Sequence, residues 1–401
     1  MRGEALAVGT VFALNGAIVG NWVARIPDVA ARTHSTPAVL GLALLGVAVG
    51  AVIAMPLVGR LCARVDSRPV VIAAAAANCV ALPLLSLPTF PLALAAALVV
   101  FGATVGATDV AMNTNALEAI RLTGRPVMPL FHGGFSAGGM LGAAVGGLAA
   151  AHTGLRVHFV AAAAFGLLVV ALVSRRLPPA PPAAPAPHSA ASRPARHFDA
   201  TILTLGAIVF CVALGEGAMG DWSALFMRNV MHSGATLGAA GFTVFSVAMA
   251  VSRFSGEVVL RRFGAPLTLA GSCALAAAGA LVVVVAPVAA VALIGFAAVG
   301  AGLAYGFPVA LGAAGSHGSG SGPAIGTVTT IGYTGFLVGP PLIGFAAQWV
   351  GLRAGLSLVA VSAGIGLALA LSRRHLIAAA DSLVAAGEPP RPAPPRPRPT
   401  R

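Results

Sequence analysis

Apolar runs of roughly 20 residues, the length of helix that crosses a bilayer core, recur along nearly the whole chain. Only 9% of residues are charged and 58% are hydrophobic, with mean hydropathy +0.93. A soluble domain carries about a quarter charged residues, so a water-facing surface cannot be built here. The runs predict spanning helices at about 5–24, 37–58, 69–88, 91–114, 127–150, 156–174, 201–222, 236–258, 266–285, 288–312, 324–346 and 353–372. The expectation is an all-α membrane protein of twelve transmembrane helices in two pseudo-symmetric six-helix bundles. Its parts are 1–176, a Pro/Ala/Arg linker at 177–199, 200–376, and a tail at 377–401. Linker and tail are too poor in apolar side chains to repay ordering, and are expected to be extended or disordered.

Net charge is +13, all of the basic residues being arginine. Arg60, Arg64 and Arg68, Arg121 and Arg125, Arg175 and Arg176, Arg261 and Arg262, and Arg373 and Arg374 fall in alternate loops. That is the positive-inside pattern, which places both termini in the cytoplasm. Scattered Arg25, Arg32, Arg156, Arg228 and Arg353 fall on the other side, and nucleic acid is not an expected partner. Cys62, Cys79, Cys211 and Cys273 stand singly, so neither a disulfide framework nor a metal site is expected. The run from Ala5 to Val23 lacks a cleavage signature and reads as the first spanning helix.

The second half repeats the first at a shift of about 200 positions, the parallel-repeat arrangement of secondary transporters. Leu14, Gly20, Asn21, Trp22 and Ala24 correspond to Leu214, Gly220, Asp221, Trp222 and Ala224. Leu40, Gly41, Gly59 and Arg64 correspond to Leu237, Gly238, Gly256 and Arg261, and Gly102 to Gly300. Gly134, Phe135, Ser136 and Gly146 correspond to Gly332, Tyr333, Thr334 and Gly344.

The stretch Gly59-Arg60-Leu-Cys-Ala63-Arg64-Val-Asp66-Ser-Arg68 resembles the signature loop of major facilitator transporters. Ala63 replaces the usual aspartate and Asp66 stands where glycine is common. The copy around Arg253, Gly256, Glu257, Arg261 and Gly264 is similarly degenerate. Asp109-Val-Ala-Met-Asn113, Glu118, Gly124-Arg125-Pro126, Met128-Pro129, His132, Ser136, Gly138 and Gly142-Ala143 resemble the YbjJ-like bacterial branch of that superfamily. The resemblance implies a two-bundle permease in the bacterial cytoplasmic (inner) membrane.

Charge at membrane depth is costly unless paired or wetted, so each buried acid is a site candidate. Glu216 in the seventh helix and Asp109 in the fourth are candidates for proton coupling, because desolvation favours taking up a proton or a cation. Asn113 shares the face of Asp109. His132 is a candidate relay, or else packs on Asp109 or Glu118. Arg253 and Glu257, one turn apart, are expected to pair with each other. Asn15, Asn113, Tyr305, Thr330, Tyr333 and Thr334 are cavity candidates, with Thr327 on the same stripe, and the threonines alternatively bond their own backbone. Asn21, Trp22, Asp221 and Trp222 are gate candidates, or else an interfacial belt. Gly134, Gly138, Gly142 and Gly146 form a packing stripe and a possible sliding surface between bundles. A break is expected at Gly339-Pro340-Pro341.

The reading is a secondary active transporter of a small molecule by alternating access, proton-coupled, monomeric and without cofactor. An uncoupled permease or receptor-like protein is the alternative. An intramembrane enzyme is disfavoured, since neither a HExxH motif nor a nucleotide-binding loop occurs.

Overall fold

The computed structural model describes residues 3–123, 128–181, 199–316 and 321–378. Arg125, most of the linker and the tail beyond Ala378 lie outside them. The first bundle is α1 (Gly3–Arg32), α2 (Pro37–Cys62), α3 (Ser67–Leu84), α4 (Pro91–Thr123), α5 (Met128–His152) and α6 (Leu155–Ser174). The second is α7 (Ala200–Leu225), α8 (235–263), α9 (265–285), α10 (Ala289–Gly315), α11 (321–350) and α12 (352–372). Helices α1 to α11 are long and apolar enough to cross a membrane; the regular part of α12, Ser357–Ser372, is 16 residues long. The α8–α9 and α11–α12 corners turn on single glycines, Gly264 (φ 70°) and Gly351 (φ 82°), a left-handed conformation that favours glycine.

In lipid, helices associate by close backbone packing rather than by hydrophobic transfer, which explains the glycine content. A Cβ on Gly138 would lie 1.9 Å from the Ala13 carbonyl oxygen of α1, and one on Gly142 2.2 Å from that of Ala17. Reciprocally, Gly16 and Gly20 of α1 press on the carbonyls of Phe135 and Gly139. The stripe therefore joins α5 to α1 of its own bundle, and the expectation of a sliding surface between bundles is corrected. Repeat-related Gly102 and Gly300 do the same work in each half, packing on backbone at Val47 of α2 and Phe245 of α8.

The bundles meet along α5–α8 and α2–α11. At the end away from the linker, called the far end below, Gly147 lies against Thr236 and Ala239, Gly41 against the Pro340 carbonyl, and Gly344 against the Pro37 carbonyl. Helix α11 runs unbroken through Pro340 and Pro341, and its break falls at Gly351 instead. The break expected at the proline pair is therefore absent. Toward the linker end, α4 packs on α1, α2 and α3, with no face laid along the second bundle among the described residues. Both seams are thus closed at the far end, and toward the linker end the α5–α8 seam continues, with Phe254 of α8 against Gly133 of α5.

The signature loop has a local structural role. Asp66 caps α3 by accepting from the Arg68 amide at 2.8 Å and also accepts from the Ala180 amide at 3.0 Å. Asn115 donates to the Pro178 carbonyl at 3.0 Å, and the Arg68 guanidinium donates to the Ser174 carbonyl. Leu177 to Ala180, expected to be loose linker, are therefore docked on the first bundle, with Leu177 and Ala180 buried. Pro182 lies outside the described residues, as does Pro394 of the tail.

Gly138→Ala is expected to lower stability by about 1–3 kcal/mol, the usual cost of overpacking. Gly364→Ala, with nothing within 4 Å of the added carbon, should be neutral. Thermal unfolding of the two variants in detergent checks the contrast.

Candidate functional site

Sequence singles out Glu216, Asp109 and His132, and the fold brings the first and the last of them to one cation, Arg253. Arg253 of α8 points at α7, with its guanidinium 3.6 Å from Glu216 Oε1. It also donates across the bundle boundary to Ser136 Oγ of α5 at 3.4 Å. Both members of the ion pair are partly exposed, at 28% and 27%, as expected of groups facing a wetted cavity rather than lipid. The expected pairing of Arg253 with Glu257 is replaced by this contact between helices; the Glu257 side chain lies outside the described residues. His132 lies one turn before Ser136 on α5, is exposed, stands edge-on to Phe12 at 5.3 Å and is within electrostatic reach of Arg253. Glu118 does not meet it: that carboxylate pairs with Arg121 at 2.6 and 2.8 Å.

Asp109 of α4 is partly buried and accepts from Asn113 Nδ2 at 3.3 Å, while the same amide donates to the Asp109 carbonyl. Tyr333 of α11 is 44% exposed and within electrostatic reach of both Asp109 and Glu216. It stands in an aromatic group with Phe307 and Phe336, ring centroids 5.9 to 6.2 Å apart. Asp109, Asn113, His132 and Ser136 of one bundle thus face Glu216, Arg253 and Tyr333 of the other.

A second charge cluster closes the far end. Asp28 of α1 forms ion pairs with Arg25 of its own helix, at 2.5 Å, and with Arg228 just beyond α7. Arg228 sits in a short π-helical turn, Phe226–Val230, and its separation from Asp28 is 200 residues, the repeat shift itself. The two halves join here through equivalent positions. Arg25 is 3% exposed and donates to His158 Nδ1 at 3.4 Å; the other ring nitrogen, as N–H, donates to Asn21 Oδ1 at 2.7 Å. Sequence reasoning missed this cluster because it ended the first helix near residue 24, whereas α1 continues to Arg32. The constant shift of the repeat was the available signal for Asp28 and Arg228; His158 had none.

Other candidates are placed elsewhere. Asn15 is 2% exposed inside the first bundle, accepting from Asn78 Nδ2 at 2.9 Å and contacting Met112 Sδ, so it is a core residue rather than a cavity wall. Tyr305 turns outward, with its hydroxyl 2.7 Å from Ser255 Oγ and its ring over Gly256, away from the central group. Thr330 and Thr334 bond carbonyls of their own helix, those of Gly326 and Ile331. Trp22 and Trp222 are 3% and 0% exposed, which overturns the belt reading; Trp349, at 84%, is the exposed tryptophan. Asn21 belongs to the far-end cluster through His158, while Asp221, partly exposed, makes no hydrogen bond or ion pair among the described residues. Of the signature-loop residues, Gly59 touches Val110, Arg68 holds the end of α6, and Arg60, Arg64 and Arg261 are exposed at the linker end. The described residues hold no group of three or more His, Cys, Asp or Glu side chains able to bind a metal.

Removing the carboxylate charge with Asp28→Asn is expected to loosen the far end. A cysteine placed at Gly220, where only Phe242 comes within 4 Å of an added carbon, should then react several times faster with a membrane-impermeant thiol reagent supplied from the far side. An unchanged rate would mean that the seam is held without the ion pair.

Known proteins share this architecture. The Major Facilitator Superfamily profile matches residues 6–322. An uncharacterized MFS-type transporter of Yersinia pestis is 34% identical over 353 residues, covering 87% of this chain and 90% of the relative. Membrane protein MosC of Rhizobium meliloti is 32% identical over 375 residues, covering 92% and 90%. Among solved structures, a mutant of the nucleoside transporter NupG superposes with TM-score 0.75 at 14% identity, over 93% of this chain and 99% of that one. A bacterial homolog of the human lysosomal transporter Spinster, inward-facing and occupied, gives 0.74 at 14% identity, over 94% and 97%. At such identity these structures bear on the fold alone, whereas the profile and the two relatives carry the assignment: the chain belongs to the Major Facilitator Superfamily, as a membrane transporter and not an enzyme.

Proposed function

We propose that this protein is a proton-coupled secondary transporter of a small molecule, working by alternating access, with Glu216 as the proton carrier and Arg253 as the element that reads its charge. The observation that carries this is the position of Arg253, within 3.6 Å of a carboxylate in its own bundle and 3.4 Å of a hydroxyl in the other. Ionised Glu216 holds the guanidinium toward α7. A proton on Glu216 cancels that attraction and leaves Arg253 to Ser136 and the face of α5 that carries His132. Proton occupancy at one side chain thereby biases a contact between the two bodies that must move, which is what coupling requires. Asp109, held by Asn113 and facing Tyr333, is the second acid of the cavity.

The linker end is assigned to the cytoplasm of a bacterial inner membrane. Arg60, Arg64, Arg175, Arg176, Arg262, Arg373 and Arg374 are exposed there. Four of the five far-end arginines serve the fold instead. Arg25 and Arg228 hold Asp28, Arg32 donates to the Pro88 carbonyl, and Arg353 donates to the carbonyls of Val284 and Ala286. The positive-inside bias is therefore cleaner in the fold than in the bare count. The residues from Asp109 to Ala143 support placement in the YbjJ-like branch, and we infer a monomer with no nucleic-acid partner.

Glu216→Gln keeps size and hydrogen bonding but removes titration. In proteoliposomes it is expected to abolish accumulation driven by a pH gradient while energy-independent exchange survives. An uncoupled permease gives a different result, with gradient-independent flux in the wild type and no selective loss in the variant. If Glu216 were merely structural, both activities would fall together with thermal stability.

A further inference from the structure

We propose that the linker-end half of the second bundle carries a binding site for one anionic phospholipid, separate from the central cavity and independent of the transport reading. A groove of about 360 Å³ is walled by Val259 and Phe263 of α8, Leu267, Thr268, Gly271, Ser272 and Leu275 of α9, and Ala301 and Tyr305 of α10. It lies where α10 is interrupted at Ala304–Tyr305. Along α9 it runs from Leu267 to Leu275, eight residues or about 12 Å of helix, which fits within one leaflet of the ~30 Å hydrocarbon core. The groove is lined almost wholly by apolar surface, as an acyl chain requires.

Two observations point to a lipid rather than to empty space. Thr268 and Ser272, one turn apart, are 4% and 5% exposed, and neither hydroxyl has a hydrogen-bond partner among the described residues. Serine and threonine in spanning helices normally donate to a carbonyl of their own helix, and in lipid a donor without an acceptor is costly. The ester carbonyl of a glycerolipid supplies an acceptor at the depth of Thr268, one turn below the corner at Gly264. At the mouth, the Arg262 guanidinium lies over the Phe263 ring, 5.6 Å from its centroid. That places a cation at headgroup level on the rim of the groove, which selects an anionic headgroup over a zwitterionic one.

The test uses the full-length protein, delipidated in detergent and titrated with phosphatidylglycerol or phosphatidylcholine, with bound lipid counted by native mass spectrometry and unfolding followed in parallel. Wild type should retain one phosphatidylglycerol about fivefold more tightly than phosphatidylcholine, the weight of one basic side chain at an anionic surface. Gly271→Leu puts a branched side chain into the groove, with nothing within 4 Å of its Cβ. It should remove the bound lipid and the lipid-dependent rise in unfolding temperature. Arg262→Gln should keep a lipid but lose the preference for the anionic one. Should Gly271→Leu fail to fold, Thr268→Val combined with Ser272→Ala gives the second reading, expected to weaken retention with little change in lipid-free stability. Equal retention of both lipids by wild type, or full retention by the groove-filling or hydroxyl-less variant, overturns the proposal.

Discussion

Charge inside a low-dielectric slab has to be paired, and at the far end one carboxylate, Asp28, serves two guanidiniums, one from each bundle. The rest of the arrangement depends on this. With Arg25 and Arg228 neutralised, α1 and α7 can approach where they would otherwise carry like charge. The α5–α8 and α2–α11 contacts then close around Gly147, Gly41 and Gly344, where absent side chains let backbones meet. Toward the linker end from these contacts lie the partly exposed Glu216, Arg253 and Asp109 and the exposed Tyr333.

Internal duplication separates packing from chemistry. Where the halves keep the same residue type, as at Gly102 and Gly300, the positions perform the same packing. Glu216 has Gly16 as its counterpart at a shift of 200, and Gly16 is pressed on the Phe135 carbonyl, leaving no room for a side chain. Asp28 and Arg228 are the instructive intermediate, with equivalent positions given opposite charge so that the pseudo-symmetric ends attract. The α7–α8 pair, with Glu216 beside Arg253, is one place where the two similar bodies differ.

Much of the architecture was legible because membrane spans are written in long stretches of local composition, and because glycine spacing marks close helix contacts. The acids of the site were legible too, since so few occur within the spans. Partnerships were not. Arg253 was assigned to Glu257 because helical spacing was the available cue, whereas its partner is on the neighbouring helix. Asn15 looked like a cavity residue until Asn78 was found opposite it. The first span was ended near residue 24, short of Asp28, because charges near the end of an apolar run resemble a membrane boundary. Pairing lets the helix carry them onward to Arg32, and pairing is a three-dimensional fact. Likewise, Pro340 and Pro341 signalled a break that falls at Gly351 instead.

The central claim is that two bodies close at one end only by opening at the other, with the Asp28 cluster as the far-end latch. Electron–electron resonance distances test it without a known substrate. One spin-label pair sits at Thr36 and Gly234 on the far end, and a second at Ala63 and Arg262 on the linker end, all at exposed positions. The account predicts that Asp28→Asn lengthens the far-end distance and shortens the linker-end distance in the same population of molecules. A far-end distance that lengthens while the linker-end distance stays fixed would show local fraying rather than alternation, and would contradict the account.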